Sequence, residues 1–158
     1  MLETLEVKTQ SGGYPINIVE GLLLRSGGSD LEPPAQVRRW VVITDENLAN
    51  LYPEVIRRLT STMDNVIILP PGEHTKSLQG VEQVLEKLAQ LQLTRWDGLV
   101  AFGGGVVGDF TGFCASIYMR GIFWAQVPTT LLAQVDSSVG GKTGVNLKSG
   151  KNLAGTFY

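Results

Sequence analysis

Three short, uninterrupted apolar runs constrain the fold of this chain more than any other feature. They are Trp40–Thr44, Asn65–Leu69 and Gly98–Phe102, and runs of this length and composition are typical of parallel strands buried on both faces. Between the last two runs, apolar residues recur at spacings of three and four, as on one face of an amphipathic helix. These residues are Leu78, Val81, Val84, Leu85, Leu88 and Leu91. A weaker helix is predicted from Pro53. The order predicts an α/β fold with an open, mostly parallel sheet flanked by helices.

The first 35 residues have a different sequence pattern. Apolar residues alternate at Leu5 and Val7 and again at Tyr14, Ile16 and Ile18, which predicts a hairpin-like pair of strands before the sheet. A loop rich in Gly, Ser and Pro follows at residues 26–34. With 158 residues, 43% of them hydrophobic, the chain is long enough for one domain with its own core.

Composition excludes several classes of partner. A formal net charge of −2 and a pI near 5.4 argue against a nucleic-acid or membrane-surface binder, which needs a basic face. Residues 119–158 nevertheless hold four Lys or Arg and one Asp, so this quarter suits an anion. Cys114 is the only cysteine and has apolar neighbours, which favours packing over a nucleophilic role. The start lacks the pattern of a signal peptide, so we expect a cytoplasmic protein.

Polar residues follow each of the three predicted strands. They lie in the segments Thr44–Asn47, Pro70–Lys76 and Gly103–Asp109. Ligands of open α/β sheets bind beyond the carboxyl ends of the strands. We therefore expect these three segments to lie on one edge of the sheet and to form a binding site.

The glycine turn Gly103–Gly105 suits the approach of a pyrophosphate, because glycine lets backbone amides come close and a helix is predicted to begin near Val106. Small residues within that helix, Gly108, Gly112 and Ala115, would permit close packing on the sheet. The alternative is a tight turn before a helix whose first turn carries an acidic Asp109. Spacing alone leaves the two interpretations open, because the sequence is not the usual dinucleotide fingerprint.

Other candidates in these turns also have ordinary interpretations. Asp45 suits ribose hydroxyls, but in isolation it is better explained as the N-cap of the next helix. Glu73 and Lys76 either contact a cofactor or belong to a solvated turn before a helix capped by Ser77. His74, the only histidine, is expected to be an exposed loop residue.

The block from Val127 to Asn152 combines hydroxyls, glycines and charges with interleaved apolar residues. Its Asp136–Gly144 segment is predicted to be an ordered loop, since it is too polar and glycine-rich for a helix or a central strand. Lys142 and Lys151 supply compact positive charges for a phosphate or carboxylate, and Arg120 can bind either in bidentate fashion. A flexible, solvated loop would conflict with the apolar residues Leu131, Leu132, Val135, Val139 and Val145.

The motif VPTTLLAQVDSSVGGKTGVN, followed by GKN and preceded by GGGVVGD, resembles the 3-dehydroquinate synthase family. The resemblance spans essentially all 158 residues and is densest from Gly103 onward. It implies a Rossmann-like, NAD-binding N-terminal domain over residues 1–158. Iron-type alcohol and glycerol dehydrogenases share the fold and a Pro-Thr-Thr segment, but they do not usually continue as this chain does. Other sugar-phosphate cyclases are closer and remain an alternative.

The resemblance implies an NAD- and metal-dependent cyclase of the shikimate pathway, which feeds aromatic amino acid biosynthesis. The substrate would be 3-deoxy-D-arabino-heptulosonate 7-phosphate and the products 3-dehydroquinate and phosphate, made by a homodimer. The positions implied for NAD are Asp45, Asn47, Glu73, Lys76, Gly104, Gly105, Val106, Asp109, Thr129, Thr130, Lys142 and Lys151. The positions implied for substrate are Asp136, Lys142, Lys151, Asn152 and Arg120, the arginine acting from a dimer neighbour if not in its own chain.

The family holds its divalent metal, zinc or cobalt, with one Glu and two His from a C-terminal domain. This chain has a single histidine, so we expect no metal site in it, the metal-binding domain to be absent, and the chain alone to fold without cyclase activity. Two other hypotheses are a stand-alone nucleotide-binding module and a dehydrogenase with net NAD reduction. The block from Asp136 to Lys151 disfavours the dehydrogenase.

Overall fold

We describe residues 2–9, 12–21, 36–60 and 62–158 of a computed structural model. The chain divides into two compact units, residues 1–32 and 33–158. The first unit is a hairpin of Leu2–Thr9 (β1) and Gly12–Val19 (β2), which pair antiparallel without a shift in register. This confirms the hairpin predicted from the alternation. The predicted loop at residues 26–34 lies outside the described residues.

The second unit contains a four-stranded parallel sheet. Its strands are Trp40–Asp45 (β3), Val66–Leu69 (β4), Gly98–Gly103 (β5) and Phe123–Pro128 (β6), in the order β4-β3-β5-β6. The three predicted strands are confirmed, and β6 is an addition. A glutamine and a terminal proline interrupt its apolar pattern, which an edge strand tolerates because one side of it needs no ladder partner.

In the described part of the chain, four α-helices connect the strands: Glu46–Leu51 (α1), Pro53–Leu59 (α2), Leu78–Gln90 (α3) and Gly105–Ile117 (α4). Both helices predicted from periodicity are confirmed. The Ser77 hydroxyl caps α3 by accepting a hydrogen bond of 3.2 Å from the Gly80 N–H. No helix in the described ranges is long and apolar enough to cross a membrane.

The core lies between the sheet and the helices that cover it. Val41, Ile43 and Leu99 on the two central strands are fully buried, as is Phe110 of α4. Cys114 is buried among them, and loss of hydration raises the pKa of its thiol to about 12. The thiol is therefore neutral at physiological pH, which confirms the predicted packing role.

A second hairpin packs against α4. It consists of Lys142–Leu147 (β7) and Gly150–Phe157 (β8), paired antiparallel. Close approach depends on Gly112, where a Cβ atom would lie 2.5 Å from Thr143 Cγ2 and 2.6 Å from Trp124 Cη2. A Cβ at Gly108 would lie 2.6 Å from the side-chain oxygen of Gln126 on β6. The predicted packing role of these small residues is confirmed.

The prediction of a loop over Asp136–Gly144 is wrong at both ends. A π-helical turn, Ala133–Ser137, includes Asp136, and Lys142–Gly144 opens β7. Only the residues between them are irregular, where Gly140 and Gly141 have φ of +93° and +67°. The polar residues of β7 are tolerated because the strand belongs to a two-stranded sheet and is not a central strand.

The apolar residues of this block do not share one environment. Val145 is fully buried on β7 and Val139 is half-buried. Leu131, Leu132 and Val135 are exposed on the segment before and within the π-helical turn. Their apolar character therefore does not reflect burial against the described part of the chain.

Candidate active site

The carboxyl ends of the parallel strands bring the predicted turns to one edge of the sheet. The segments Thr44–Asn47, Pro70–Lys76 and Gly103–Asp109 follow β3, β4 and β5, which run in the same direction. β6 adds a fourth segment, since Gly103 is paired with Pro128 and Thr129 follows directly. The topology thus confirms the shared edge.

The glycine turn forms the N-terminus of α4. Gly104 is the N-cap, and no side chain of the described residues caps this helix end. A Cβ at Gly105 would lie 2.9 Å from Ser137 Oγ, and a Cβ at Gly104 would lie 3.2 Å from Thr130 Cγ2. Ser137 Oγ is buried without a hydrogen-bond partner among the described residues. Uncapped amides and an unpaired hydroxyl beside them fit an anionic group such as a pyrophosphate.

Lys76 lies at the centre of the charged part of the site. Its side chain is 4% exposed, and its ammonium group donates hydrogen bonds to the carboxylate of Asp109 and to the side-chain oxygen of Asn152. These partners come from α4 and β8. The interpretation of Lys76 as part of a solvated turn is therefore wrong, and three distant segments converge on one buried cation.

Asn146, which is not among the predicted site residues, connects the same segments. Its Nδ2 donates to Glu73 Oε1 at 2.8 Å, and its Oδ1 accepts from the Asn152 N–H at 2.9 Å. Its backbone N–H donates to the Lys76 carbonyl at 2.8 Å. No motif or spacing in the sequence points to an isolated asparagine of this kind, because its role depends on contacts across 73 positions of chain.

Asn152 and Lys151 lie in an irregular part of β8. The register passes from Val145 paired with Ala154 to Leu147 paired with Gly150, so residues 151–153 oppose Asn146 alone. Asn152 has φ of +54°, a left-handed conformation that is uncommon outside glycine and asparagine. A bulge of this kind changes the direction of side chains at functional sites.

Asp45 and the two threonines of the site make hydrogen bonds that fix the turns. Asp45 Oδ1 accepts from the N–H groups of Asn47 and Leu48 at 2.9 and 3.1 Å, so the helix-cap interpretation is correct. Thr129 N–H donates to the Gly103 carbonyl at 3.0 Å. Thr130 Oγ1 accepts from the Ala133 N–H at 3.2 Å. These bonds fix the turns and leave the ribose-binding role of Asp45 a prediction.

Lys142 and Asp136 form an ion pair of 3.1 Å at the surface, with side chains 53% and 60% exposed. Exposed pairs of this type contribute about 1 kcal/mol or less and rearrange readily. Lys151 is exposed as well. Both lysines can therefore turn toward an anion without breaking buried contacts.

Arg120 does not join the other predicted residues within the chain. It follows α4, whose 13 residues extend about 20 Å at ~1.5 Å per residue, and it precedes β6 at the amino edge of the sheet. It is exposed, with φ of +67°. Its action from a dimer neighbour stays a prediction.

The remaining polar candidates give no metal centre in the described part of the chain. His74 is exposed in its turn, as predicted. No group of three or more His, Cys, Asp or Glu residues converges among the described residues. These residues do not fit a catalytic zinc, which needs three protein ligands.

A sequence model described as 3-dehydroquinate synthase N-terminal matches residues 66–158. The chain belongs to the 3-dehydroquinate synthase family. The relative from Clostridium kluyveri is 44% identical over 99% of this chain and 44% of its own length. The relative from Dictyoglomus turgidum is 56% identical over 99% and 42%. Both carry the name 3-dehydroquinate synthase, and the chain spans less than half the length of either.

Solved structures agree with this family at the level of the fold. A 2-deoxy-scyllo-inosose synthase, complexed with carbaglucose-6-phosphate, NAD+ and Co2+, matches with a TM-score of 0.81 and 30% identity, over 99% of this chain and 43% of that protein. The 2-epi-5-epi-valiolone synthase of Streptomyces hygroscopicus, with NAD+ and Zn2+ bound, matches with 0.69 and 29%, over 81% and 38%. A probable glycerol dehydrogenase from Sinorhizobium meliloti, 19% identical with a TM-score of 0.57 over 77% of this chain and 30% of its own, shares the fold alone.

Proposed function

We propose that residues 1–158 are the NAD-binding domain of a 3-dehydroquinate synthase. The whole protein would convert 3-deoxy-D-arabino-heptulosonate 7-phosphate to 3-dehydroquinate and phosphate, in the cytoplasm and as a homodimer. The observation that carries the proposal is the N-terminus of α4, which no side chain of the described residues caps, next to the buried Lys76 and its partners Asp109 and Asn152, in a chain of this family. The NAD+ in two solved relatives supports the choice of cofactor.

The residues of the carboxyl edge fit the chemistry of NAD. The amides of Gly105 and Val106 would bind the pyrophosphate, together with the Ser137 hydroxyl. Asp45 would accept from ribose hydroxyls through Oδ2, since Oδ1 already caps α1. When bound, NAD supplies reversible hydride acceptance, so that a substrate hydroxyl can be oxidised and later restored without net redox change.

The exposed cations suit the phosphorylated substrate. Lys142 and Lys151 would bind its phosphate or carboxylate, and Arg120 of a second subunit would add a bidentate contact. Asp136 would exchange its pairing with Lys142 for a substrate hydroxyl, and Asn152 would donate to a substrate oxygen from the bulge. The proposal places the metal ligands in a domain outside these 158 residues, and no step here depends on them.

A second candidate is a cyclase of the inosose type, favoured by the TM-score of 0.81 to 2-deoxy-scyllo-inosose synthase. Both candidates use NAD and a sugar phosphate, so they differ in substrate and not in the cofactor site. The names of the relatives with 44% to 56% identity favour the dehydroquinate product.

The test is a calorimetric titration of NAD into the 158-residue chain and two lysine variants of one hairpin. Lys151→Met removes a predicted cofactor contact, and Lys148→Met removes a charge that is also exposed and to which no role is assigned. We expect the wild type to bind, Lys151→Met to bind at least about tenfold more weakly, a loss of about 1.4 kcal/mol, and Lys148→Met to retain its affinity. Absence of binding by the wild type would contradict the proposal.

A companion assay addresses catalysis by the chain alone. Incubated with NAD, a divalent metal and the heptulosonate phosphate, the 158-residue chain should release no inorganic phosphate, since the described residues hold no metal centre. Phosphate release would show that the proposed division between domains is wrong. Formation of NADH from simple alcohols would favour the dehydrogenase hypothesis instead.

A further inference from the structure

The bulge of β8 leaves the Asn152 N–H without a hydrogen-bond acceptor on the backbone of the hairpin. Three residues of β8 oppose Asn146 alone, so the Asn152 N–H has no ladder carbonyl in register with it. The hydrogen bond goes instead to Asn146 Oδ1, at 2.9 Å. A side chain of β7 thus replaces the ladder partner at the most irregular point of the hairpin.

The same asparagine also holds the turn that follows β4. Its Nδ2 donates to Glu73 Oε1 at 2.8 Å, and its backbone N–H donates to the Lys76 carbonyl at 2.8 Å. A parallel bridge between Ser77 and Asn146 accompanies these bonds. Asn146 therefore contacts the backbone on both sides of the hydrogen bond between the Lys76 ammonium and the Asn152 side chain.

We infer that Asn146 is a positioning residue that sets the backbone of Asn152 and of the Glu73–Lys76 turn. The inference rests on the proposed function for its consequence, because the residues it holds are those assigned to NAD and substrate. Asn146 itself touches neither the reacting atoms nor the cofactor in this assignment. It acts through Asn152, whose φ of +54° is kept while its N–H is held by a fixed acceptor.

The two side-chain bonds of Asn146 can be separated by substitution. Asn146→Ala removes both bonds. Asn146→Asp keeps an acceptor for the Asn152 N–H but cannot donate to Glu73, beside which it places a second carboxylate. If the bond to Asn152 performs the positioning, the aspartate variant restores the geometry at Asn152 that the alanine variant loses.

The experiment measures amide hydrogen exchange by NMR in the 158-residue chain. In Asn146→Ala we expect the Asn152 amide to exchange about five- to tenfold faster, as loss of one hydrogen bond predicts, while amides of the regular part of β7 and β8 keep their protection. In Asn146→Asp the Asn152 rate should return close to that of the wild type. Gln90→Ala, an exposed amide at the far end of α3, serves as the control and should change nothing at Asn152.

NAD affinity is the second readout, taken at a temperature where every variant is folded. Asn146→Ala should weaken binding about tenfold, and Gln90→Ala should not. An unchanged Asn152 exchange rate in Asn146→Ala would overturn the inference, as would a uniform loss of protection along the hairpin, which a purely structural role predicts. A wild-type chain that does not bind NAD would refute the proposed function alone, because the exchange rates would still decide the role of Asn146.

Discussion

The described residues form two antiparallel hairpins of similar length and different regularity. In β1–β2 each residue from Leu2 to Thr9 pairs with one residue of the opposite strand, and the register does not shift. In β7–β8 the register breaks at Asn146. The regular hairpin carries none of the predicted site residues, whereas the irregular hairpin carries Lys142, Lys151 and Asn152.

The difference shows where each hairpin obtains its geometry. In β1–β2 the regular register pairs apolar residues across the strands, Leu5 with Ile16 and Val7 with Tyr14. The break in β7–β8 is held by Asn146 within the hairpin and, from outside it, by Lys76 and Glu73 of the turn after β4 and by the packing of Thr143 against Gly112. We therefore expect substitutions at these external contacts to affect the irregular hairpin far more than comparable substitutions affect the regular hairpin.

The largest effect is expected for Lys76→Met. The substitution removes a cation that is 4% exposed and leaves the Asp109 carboxylate, 18% exposed, without its partner. Loss of one member of such a buried pair costs about 3–5 kcal/mol. The free energy of unfolding, from urea titration followed by circular dichroism, should fall by this amount.

Lys142→Met is the matched control for that measurement, because it removes the same type of charge from an exposed ion pair in the irregular hairpin. Its effect on the free energy of unfolding should stay within about 1 kcal/mol. Equal losses in the two variants would contradict the view that the buried contact, and not charge in general, supports β7–β8.

A smaller effect is expected for Gly112→Ala. The new methyl group would meet Thr143 Cγ2 at 2.5 Å and the ring of Trp124 at 2.6 Å, and overpacking of this kind costs about 1–3 kcal/mol. The higher helix propensity of alanine offsets up to about 1 kcal/mol, so a net loss of about 1–2 kcal/mol should appear in the urea midpoint. Ser116→Ala on the same helix, whose hydroxyl donates only to the Phe113 carbonyl, should change it little, and a stabilised Gly112→Ala variant would refute the close packing.

The smallest effect on the free energy of unfolding is expected when one cross-strand hydroxyl is removed from each hairpin. Thr143 Oγ1 is bonded to the Thr156 carbonyl at 2.9 Å in a buried position, and Thr4 Oγ1 donates to Asn17 Oδ1 at 3.0 Å in an exposed one. Thr143→Val should lower the free energy of unfolding by about 1 kcal/mol, and Thr4→Val by less than about 0.5 kcal/mol. The reverse order would show that the regular hairpin is the more tightly specified of the two.

Sequence patterns predicted the elements whose environment is uniform. β3 and β5 are buried on both faces, and α3 has one apolar face, so their residue patterns are continuous or periodic. β6 was not predicted, because it is an edge strand whose apolar pattern is interrupted by Gln126 and Pro128. The polar start of β7 was not predicted as a strand, because its packing depends on Gly112 of α4. No local sequence pattern indicates that contact.

The site was predictable to the extent that it follows from parallel topology. The turns after β3, β4 and β5 had to share an edge, and they do. The same reasoning predicts that Arg120 lies away from these turns. It follows α4, which begins at the carboxyl edge of the sheet and therefore ends at the opposite edge. The pairing of Lys76 with Asn152 and the role of Asn146 could not be predicted, because they join residues 76 and 73 positions apart through folding alone.

The left-handed backbone of Asn152 also limits the sequences that this position accepts. Most side chains clash with their own backbone at φ of +54°, whereas glycine, asparagine and aspartate accept it at little cost. A library randomised at residue 152 and selected for folding should return these three residues above all others, and β-branched residues least. The backbone conformation thus limits the residue types at position 152 independently of any ligand. Of the three types that it allows, only asparagine and aspartate also offer Lys76 an oxygen.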